Sequence, residues 1–178
     1  FNLLDLFPED MFGISVGTID LDPNFRQIGD QGAVSVAQIL ATETNLISLE
    51  LGFNDLGPEG ICHIAAALHL NSSLRTLNLE VNKIGHPGAS HLASTLLINT
   101  TLTSLNVGSN KLGLKGVEPL GMALCSNSSL TALNLWDNSL GDAGAISILS
   151  ALPHNSVLTD LNLSCNNIQR SGGFQVAA

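Results

Sequence analysis

The chain repeats one unit of 28 residues, and two stretches display it most clearly. Residues 74–101 read LRTLNLEVNKIGHPGASHLASTLLINTT, and residues 130–157 read LTALNLWDNSLGDAGAISILSALPHNSV. A period of about 20–50 residues is typical of a solenoid, in which each unit packs only against its neighbours. The copies begin at Leu46, Leu74, Leu102, Leu130 and Leu158.

The two ends of the chain depart from this unit. A looser copy with two extra residues begins at Val16, and the last copy stops at its position 21, so we predict six repeats over residues 16–178. Residues 1–15 precede them and contain Pro8, which ends any helix there. Because a solenoid needs an atypical end unit to cover its core, residues 1–15 are predicted to form a capping helix and turn.

Each repeat joins a strand pattern to a helix pattern. Counted from its first residue, a repeat is apolar at positions 1, 4 and 6, and the alternation over positions 4–6 is that of a strand. Positions 16, 19, 20 and 23 are small or apolar, which is the stripe of a helix packed on a core. Since successive strands run in the same direction, the helices connect them. The sequence therefore predicts an α/β array with a parallel sheet.

Position 9 is asparagine in every copy. An amide both donates and accepts hydrogen bonds, so stacked copies are expected to satisfy buried backbone groups as a ladder rather than to act in catalysis. The residues concerned are Asn24, Asn54, Asn82, Asn110, Asn138 and Asn166.

The pattern LxxLxLxxNxIGxxGxxxLxxxL, which residues 74–96 follow, resembles the leucine-rich repeat of the ribonuclease-inhibitor-like subfamily. The sequence Asn-Ser-Ser-Leu at the repeat boundary, which begins at Asn71 and again at Asn127, is similar to that in the repeat arrays of NOD-like receptors. The resemblance implies a right-handed α/β arc, with the parallel sheet on the concave face and the helices on the convex face. It also implies non-catalytic protein binding through the concave face. Ribonuclease binding is not implied, because this chain has one repeat type and only 3 Cys.

Charge narrows the classes of partner. The chain has 15 acidic and 6 basic residues and a net charge of −9, which argues against nucleic acid and against anionic membrane surfaces. The apolar stretch at residues 61–70 is too short to span a bilayer, and the first ten residues lack the basic region of a signal peptide. The three cysteines have no metal or disulfide spacing, so we read them as small apolar core residues of a cytoplasmic protein.

The candidate site is the solvent side of the strands, at positions 2, 3, 5, 7 and 8 of each repeat. Six repeats give 30 such positions, enough for one protein partner. Six acids against one base give this surface a charge of −5, which favours a basic partner; simple solvation of an exposed sheet is the alternative. The charged residues are Asp20, Asp22, Glu50, Arg75, Glu80, Asp137 and Asp160.

Trp136 is the single tryptophan and falls on this surface at position 7, where the small residues Gly108 and Ser164 of its column are expected to leave space around it. Tryptophan is a favoured anchor at protein interfaces, so Trp136 and the adjacent Asp137 are predicted to bind the partner. Two residues at position 8 form a second apolar spot. The predicted partner-binding residues are Asp20, Glu50, Phe53, Arg75, Glu80, Val81, Trp136, Asp137 and Asp160.

The remaining sequence motifs do not indicate an enzyme active site, a cofactor site or a glycosylation site. Common nucleotide-binding, metalloprotease and hydrolase motifs are absent from the sequence, so no enzyme activity, cofactor or metal is predicted. Asn-x-Ser/Thr triplets at Asn71, Asn99, Asn127 and Asn162 are read as repeat consensus rather than as glycosylation sites. The resemblance implies one alternative function: regulation of an enzyme, as in the Ran GTPase-activating proteins with this repeat.

The C-terminal end is predicted to lack a cap. The strand at residues 158–163 then keeps an open edge, which favours association. We expect either that further repeats follow in the natural protein or that this end contacts another copy of the chain.

Overall fold

The structure is a computed structural model that describes residues 12–15, 18–21 and 28–169, with side chains from residue 28 onwards. Strands and helices alternate along these residues, apart from a first pair of strands. The strands are β1 (Phe12–Ser15), β2 (Thr18–Leu21), β3 (Ser48–Glu50), β4 (Thr76–Asn78), β5 (Ser104–Asn106), β6 (Ala132–Asn134) and β7 (Asp160–Asn162). The helices are α1 (Gly29–Thr42), α2 (Pro58–Leu68), α3 (Gly85–Leu96), α4 (Gly113–Leu124) and α5 (Gly141–Leu149), followed by a 3-10 turn at Leu152–His154.

The strands form one sheet in the order β1-β2-β3-β4-β5-β6-β7. From β2 to β7 every pair is parallel and keeps the repeat register, so that Leu49 lies beside Leu77 and Leu77 beside Leu105. The first copy obeys the same register, with Ile19 beside Leu49. The predicted α/β leucine-rich repeat architecture, a parallel sheet on one side and helices on the other, is confirmed.

Strand β1 is a difference from the sequence analysis. Residues 12–15 run antiparallel to β2, where a capping helix and turn were predicted; residues 1–11 lie outside the described part of the chain. The physical reason is the open edge that β2 would otherwise present, since pairing with β1 satisfies its backbone groups. This strand has no counterpart in the repeat, so the repeat pattern carried no signal for it.

The core is a continuous strip between the sheet and the helices. From β3 to β6 the position 4 leucines, such as Leu77 and Leu105, are at most 2% exposed, and the predicted helix stripe of α2 to α4 is buried with them. In α5 the stripe residue at position 20, Leu149, is only half-buried, because no further helix of the described residues packs against it. Burial therefore grows with each stacked repeat, as expected for a solenoid.

Glycine at position 15 lets neighbouring helices approach closely. A Cβ added to Gly116 would lie 3.1 Å from the Cα of His86 and 3.2 Å from the Cβ of Ala89, both in the preceding helix. Helix α4 therefore packs on α3 at a distance that a larger residue would increase.

The asparagine ladder at position 9 is confirmed from Asn82 onwards. The Nδ2 of Asn138 donates to the carbonyls of Val107 and Leu135 at 2.9 and 3.1 Å. Its Oδ1 accepts from the N–H groups of Asn110 and Leu112 at 3.0 and 3.2 Å. Asn24 lies outside the described residues; the buried members are Asn54, Asn82, Asn110, Asn138 and Asn166.

A second asparagine ladder, which the sequence analysis did not identify, runs along the opposite edge at position 26. The Nδ2 of Asn99 donates to the carbonyls of Leu68 and Asn71 at 2.8 and 3.3 Å, and its Oδ1 accepts from Thr101 and Leu102. These amides join the end of one helix to the start of the next strand. The members are Asn71, Asn99, Asn127 and Asn155.

This second ladder explains three of the Asn-x-Ser/Thr triplets. The side chains of Asn71, Asn99 and Asn127 are 6–8% exposed, and each amide donates to two main-chain carbonyls. A glycan needs that same nitrogen, so it is incompatible with these bonds in the folded chain.

Candidate functional site

The candidate site is the concave surface, which we define as positions 2, 3, 5, 7 and 8 of the repeats. In the five repeats with described side chains it has 25 positions, and all except Gly108 keep accessible surface. In the first repeat, Asp20 lies beside Glu50 in the β2–β3 register, and only its backbone is described. Asp22 lies outside the described residues. The alternation predicted from the strand spacing thus leaves an open polar strip along the sheet.

A column of asparagines at position 5 organises the centre of this surface. Their Oδ1 atoms accept the backbone N–H two residues later, at 3.0 Å in Asn78, Asn106 and Asn162 and at 3.1 Å in Asn134. Because each oxygen is held in this way, each NH2 group points across the sheet. Asn162 Oδ1 also accepts a hydrogen bond from Ser164 Oγ at 2.6 Å, and otherwise the amides differ in what the NH2 group contacts.

In the N-terminal half of the column the NH2 groups are occupied by carboxylates. Asn78 Nδ2 donates to Glu50 Oε2 at 2.8 Å, and Asn106 Nδ2 donates to Glu80 Oε2 at 2.9 Å. Both glutamates are half-buried. Their charges are therefore held within the surface by the neighbouring repeat.

The two aspartates in the C-terminal half are more exposed. Asp137 accepts a hydrogen bond from Ser109 Oγ at 2.8 Å. The Asp160 carboxylate makes no hydrogen bond or ion pair with any side chain of the described residues. Arg75, the one base of the concave surface, donates to the Thr101 carbonyl at 3.3 Å. Four acids against one base leave this described surface with a charge of −3.

Trp136 lies on the concave surface as predicted, but its neighbour Gly108 supports the ring instead of leaving space around it. A Cβ on Gly108 would overlap the indole Cδ1 and Nε1. The side chain is consequently half-buried, and its N–H has no hydrogen-bond acceptor among the described residues. A tryptophan that is fixed on one side and open on the other, with a spare donor, has the properties of an interface anchor.

The backbone at position 8 is left-handed in all five repeats of residues 46–169. Val81 has φ 52° and Phe53 has φ 60°, and these are the two residues of the predicted second apolar spot. Such a conformation is costly for residues other than glycine, and it is a real outlier for β-branched valine. The residue types at this position do not indicate such a conformation, because none of them is glycine: Phe53, Val81, Ser109, Asp137 and Cys165.

A shallow depression of about 310 Å³ lies across three strands, and we call it the β5–β7 depression. The small side chains of Ser104 and Ala132 leave space between the larger residues around them. Its polar lining consists of Ser104, Asn106, Asn134, Asp160 and Asn162. Of this group, only Asp160 is among the predicted partner-binding residues.

The cysteines correct one expectation. Cys62, Cys125 and Cys165 are exposed free thiols and not core residues, because their positions in the repeat fall outside the apolar stripe.

In the described ranges, no cluster of three or more His, Cys, Asp or Glu is suited to a metal ion. No helix between residues 28 and 169 has the length and apolarity that crossing a bilayer requires.

Comparison with known proteins identifies the repeat. The family model for the Leucine Rich repeat matches residues 42–64, 70–93, 99–121, 126–149 and 154–177, more than half of the chain. Among solved structures, the chain is similar to Leiomodin-1 Actin-Binding Site 2, with a TM-score of 0.69 and 21% identity over 82% of this chain and 83% of that one. It is also similar to the tropomodulin C-terminal domain of Caenorhabditis elegans, with a TM-score of 0.67 and 20% identity over 82% and 89%. No curated protein sequence matches.

Proposed function

The chain belongs to the leucine-rich repeat family, and from this membership we propose that it is a non-catalytic module that binds another protein on its concave surface. The observation that carries the proposal is the open polar strip of positions 2, 3, 5, 7 and 8, in which 24 of 25 described residues keep accessible surface. About 20–30 residues on each side is the size of a standard interface.

The charge of this strip supports a basic partner. Its described part carries −3, and Asp20 and Asp22 of the first repeat add further acids in the sequence. A surface of one sign accelerates association with a partner of the opposite sign. Trp136, supported by Gly108 and open on its other side, is the proposed anchor, with Asp137 beside it. Phe53, Val81, Glu50, Glu80, Arg75 and Asp160 complete the proposed contact surface.

A paired pull-down tests the proposal. The concave variant combines Trp136→Ala with Asp137→Ala. The matched control combines Met122→Ala with Glu118→Ala, which removes one large apolar and one acidic residue from the exposed side of α4. We expect the concave variant to lose partners from a lysate of the source cells and the control to retain them. Equal recovery with both variants would contradict a concave site.

Two defined probes accompany the lysate. The name of the leiomodin-1 domain describes an actin-binding site, so purified actin is the first candidate partner to test, although the likeness to that domain concerns the fold. Stimulation of GTP hydrolysis by small GTPases tests the alternative, an enzyme regulator related to the GTPase-activating leucine-rich repeat proteins. Stimulation that survives the concave variant would favour this alternative.

Four finer assignments belong to the same proposal. The regular 28-residue spacing of β3 to β7 and helices α2 to α4 of 11–12 residues support the ribonuclease-inhibitor-like subfamily. Exposed free thiols support a reducing, cytoplasmic location. Residues 1–15 are proposed to cap six repeats over residues 16–178. The half-buried Leu158, Leu161 and Leu163 at β7 support self-association through this end, which light scattering tests directly.

A further inference from the structure

The two halves of the concave surface differ in how their polar groups are satisfied. In the N-terminal half, Glu50 and Glu80 accept hydrogen bonds from the amides of the following repeats. In the C-terminal half, the NH2 groups of Asn134 and Asn162 have no acceptor among the described residues, although both amide oxygens are held by backbone N–H groups. The unsatisfied donors are therefore fixed in direction.

An unsatisfied acceptor lies beside these donors. Asp160 is the only acid of the described concave surface whose carboxylate makes no hydrogen bond or ion pair with another side chain of the described residues. It stands at the end of β7 where Ala132 is its neighbour in β6, and it lines the β5–β7 depression together with Asn134 and Asn162. One carboxylate and two amide donors therefore line one depression, in which the small side chains of Ser104 and Ala132 leave space.

We propose that the β5–β7 depression binds an arginine or lysine side chain from an extended segment of the partner protein. Asp160 accepts hydrogen bonds from the cationic head, and Asn134 and Asn162 donate to main-chain carbonyls on either side of it. This inference rests on the proposed function and assigns the specificity of the concave surface to its C-terminal half.

The size and position of the depression fit this occupant. A volume of about 310 Å³ is at the lower limit of about 300 Å³ for small-molecule sites, so it suits one long side chain. Trp136 follows Asn134 by two residues, and a segment that continues along β6 reaches its open side. No basic side chain of the described concave surface lies among the lining residues to compete for Asp160.

Nuclear magnetic resonance of the full chain tests the site with defined probes. N-acetyl-arginine methylamide is titrated into ¹⁵N-labelled protein, and N-acetyl-norleucine methylamide serves as the uncharged control. We expect the arginine probe to shift the side-chain NH2 signals of Asn134 and Asn162 with a dissociation constant on the order of 10 mM, as one charge-assisted contact provides. The norleucine probe should cause no saturable shift.

Two variants that remove one negative charge each make the test specific. Asp160→Asn should weaken arginine binding by about tenfold, and Glu118→Gln, on the exposed side of α4, should change it by less than about twofold. Circular dichroism verifies that both variants fold. Equal effects of the two variants, shifts centred on Asn78, or no saturable shift at all would each overturn the proposal.

The outcome is separable from that of the proposed function. If Asp160→Asn leaves arginine binding unchanged while the pull-down still depends on Trp136 and Asp137, the proposal for the β5–β7 depression is wrong. The proposal of partner binding on the concave surface is then retained. If the concave and convex variants of the pull-down behave alike, the proposed function itself is wrong.

Discussion

Replacing Asn110 by aspartate tests the hydrogen-bond ladder that supports the repeat stack. The Nδ2 of Asn110 donates to the carbonyls of Leu79, Val107 and Gly108 at 2.8, 3.1 and 2.9 Å, and the side chain is fully buried. Asn110→Asp has nearly the same shape but places a charged oxygen against three carbonyl oxygens. An uncompensated buried charge of this kind costs about 3–5 kcal/mol, a large part of the about 5–15 kcal/mol that stabilises a typical domain.

Asn110→Ala should cost less, about 1–3 kcal/mol. Each of the three carbonyls keeps a second donor: Asn82 Nδ2 for Leu79, Asn138 Nδ2 for Val107, and the Val81 N–H for Gly108. Only the Ile84 N–H, which donates to Asn110 Oδ1 at 3.4 Å, loses its partner. The difference between the two substitutions therefore isolates the contribution of charge.

The pH dependence of Asn110→Asp has a definite sign. Burial against carbonyl oxygens raises the pKa of the introduced carboxyl above its unfolded value of about 3.9. The folded chain then holds the proton more tightly, so the penalty is complete above the raised pKa and disappears below about pH 4. Relative to the unmodified protein, the variant should gain stability as the pH falls.

Urea unfolding followed by the fluorescence of Trp136, the single tryptophan, gives the free energy of unfolding, and circular dichroism verifies that the transitions coincide. The matched control is Asn134→Asp, since Asn134 is half-buried, its NH2 group has no acceptor among the described residues, and its Oδ1 is retained in aspartate. The control should change stability by less than about 0.5 kcal/mol. A cost of Asn110→Asp no greater than that of Asn134→Asp would refute the ladder.

Three further predictions concern packing, backbone strain and exposure. Gly116→Ala should destabilise the chain by about 1–3 kcal/mol in the same assay, because its Cβ would lie 3.1 Å from the Cα of His86; an unchanged midpoint would show that the helices are not closely packed. Val81→Asn should stabilise it by about 0.5–1 kcal/mol, since asparagine tolerates the left-handed φ of 52° better than valine; a loss of stability would contradict that strain. Cys62, Cys125 and Cys165 should all react with Ellman's reagent in the native protein, and fewer than three reactive thiols would be inconsistent with their exposure.

The sequence predicted the repeated part of the fold because one period determines both the strand register and the helix stripe. Leu49, Leu77 and Leu105 are 28 residues apart, and they are neighbours in the sheet for that reason. Strand β1 was not predicted, because it belongs to no repeat and pairs in the opposite direction. The second ladder did have a signal, the recurrence of asparagine at position 26, which was interpreted as repeat consensus without a hydrogen-bonding role.

The sequence also predicted which residues line the concave surface, and it did not predict how they interact. The bond from Asn78 to Glu50 joins residues 28 positions apart, and its presence depends on side-chain directions that no local pattern specifies. Side-chain directions also determine that the Trp136 ring packs on Gly108 and that the Asp160 carboxylate makes no side-chain hydrogen bond among the described residues. The sequence therefore predicts neither feature.

Site-specific photo-crosslinking tests the central claim, binding on the concave surface, most directly. Thr131→p-benzoylphenylalanine places the crosslinker on an exposed concave residue, and Met122→p-benzoylphenylalanine places it on the exposed side of α4. After irradiation in a lysate of the source cells, a discrete protein adduct at residue 131, with none at residue 122, is the predicted result. Adducts at residue 122 alone, or the same adducts at both positions, would contradict the account.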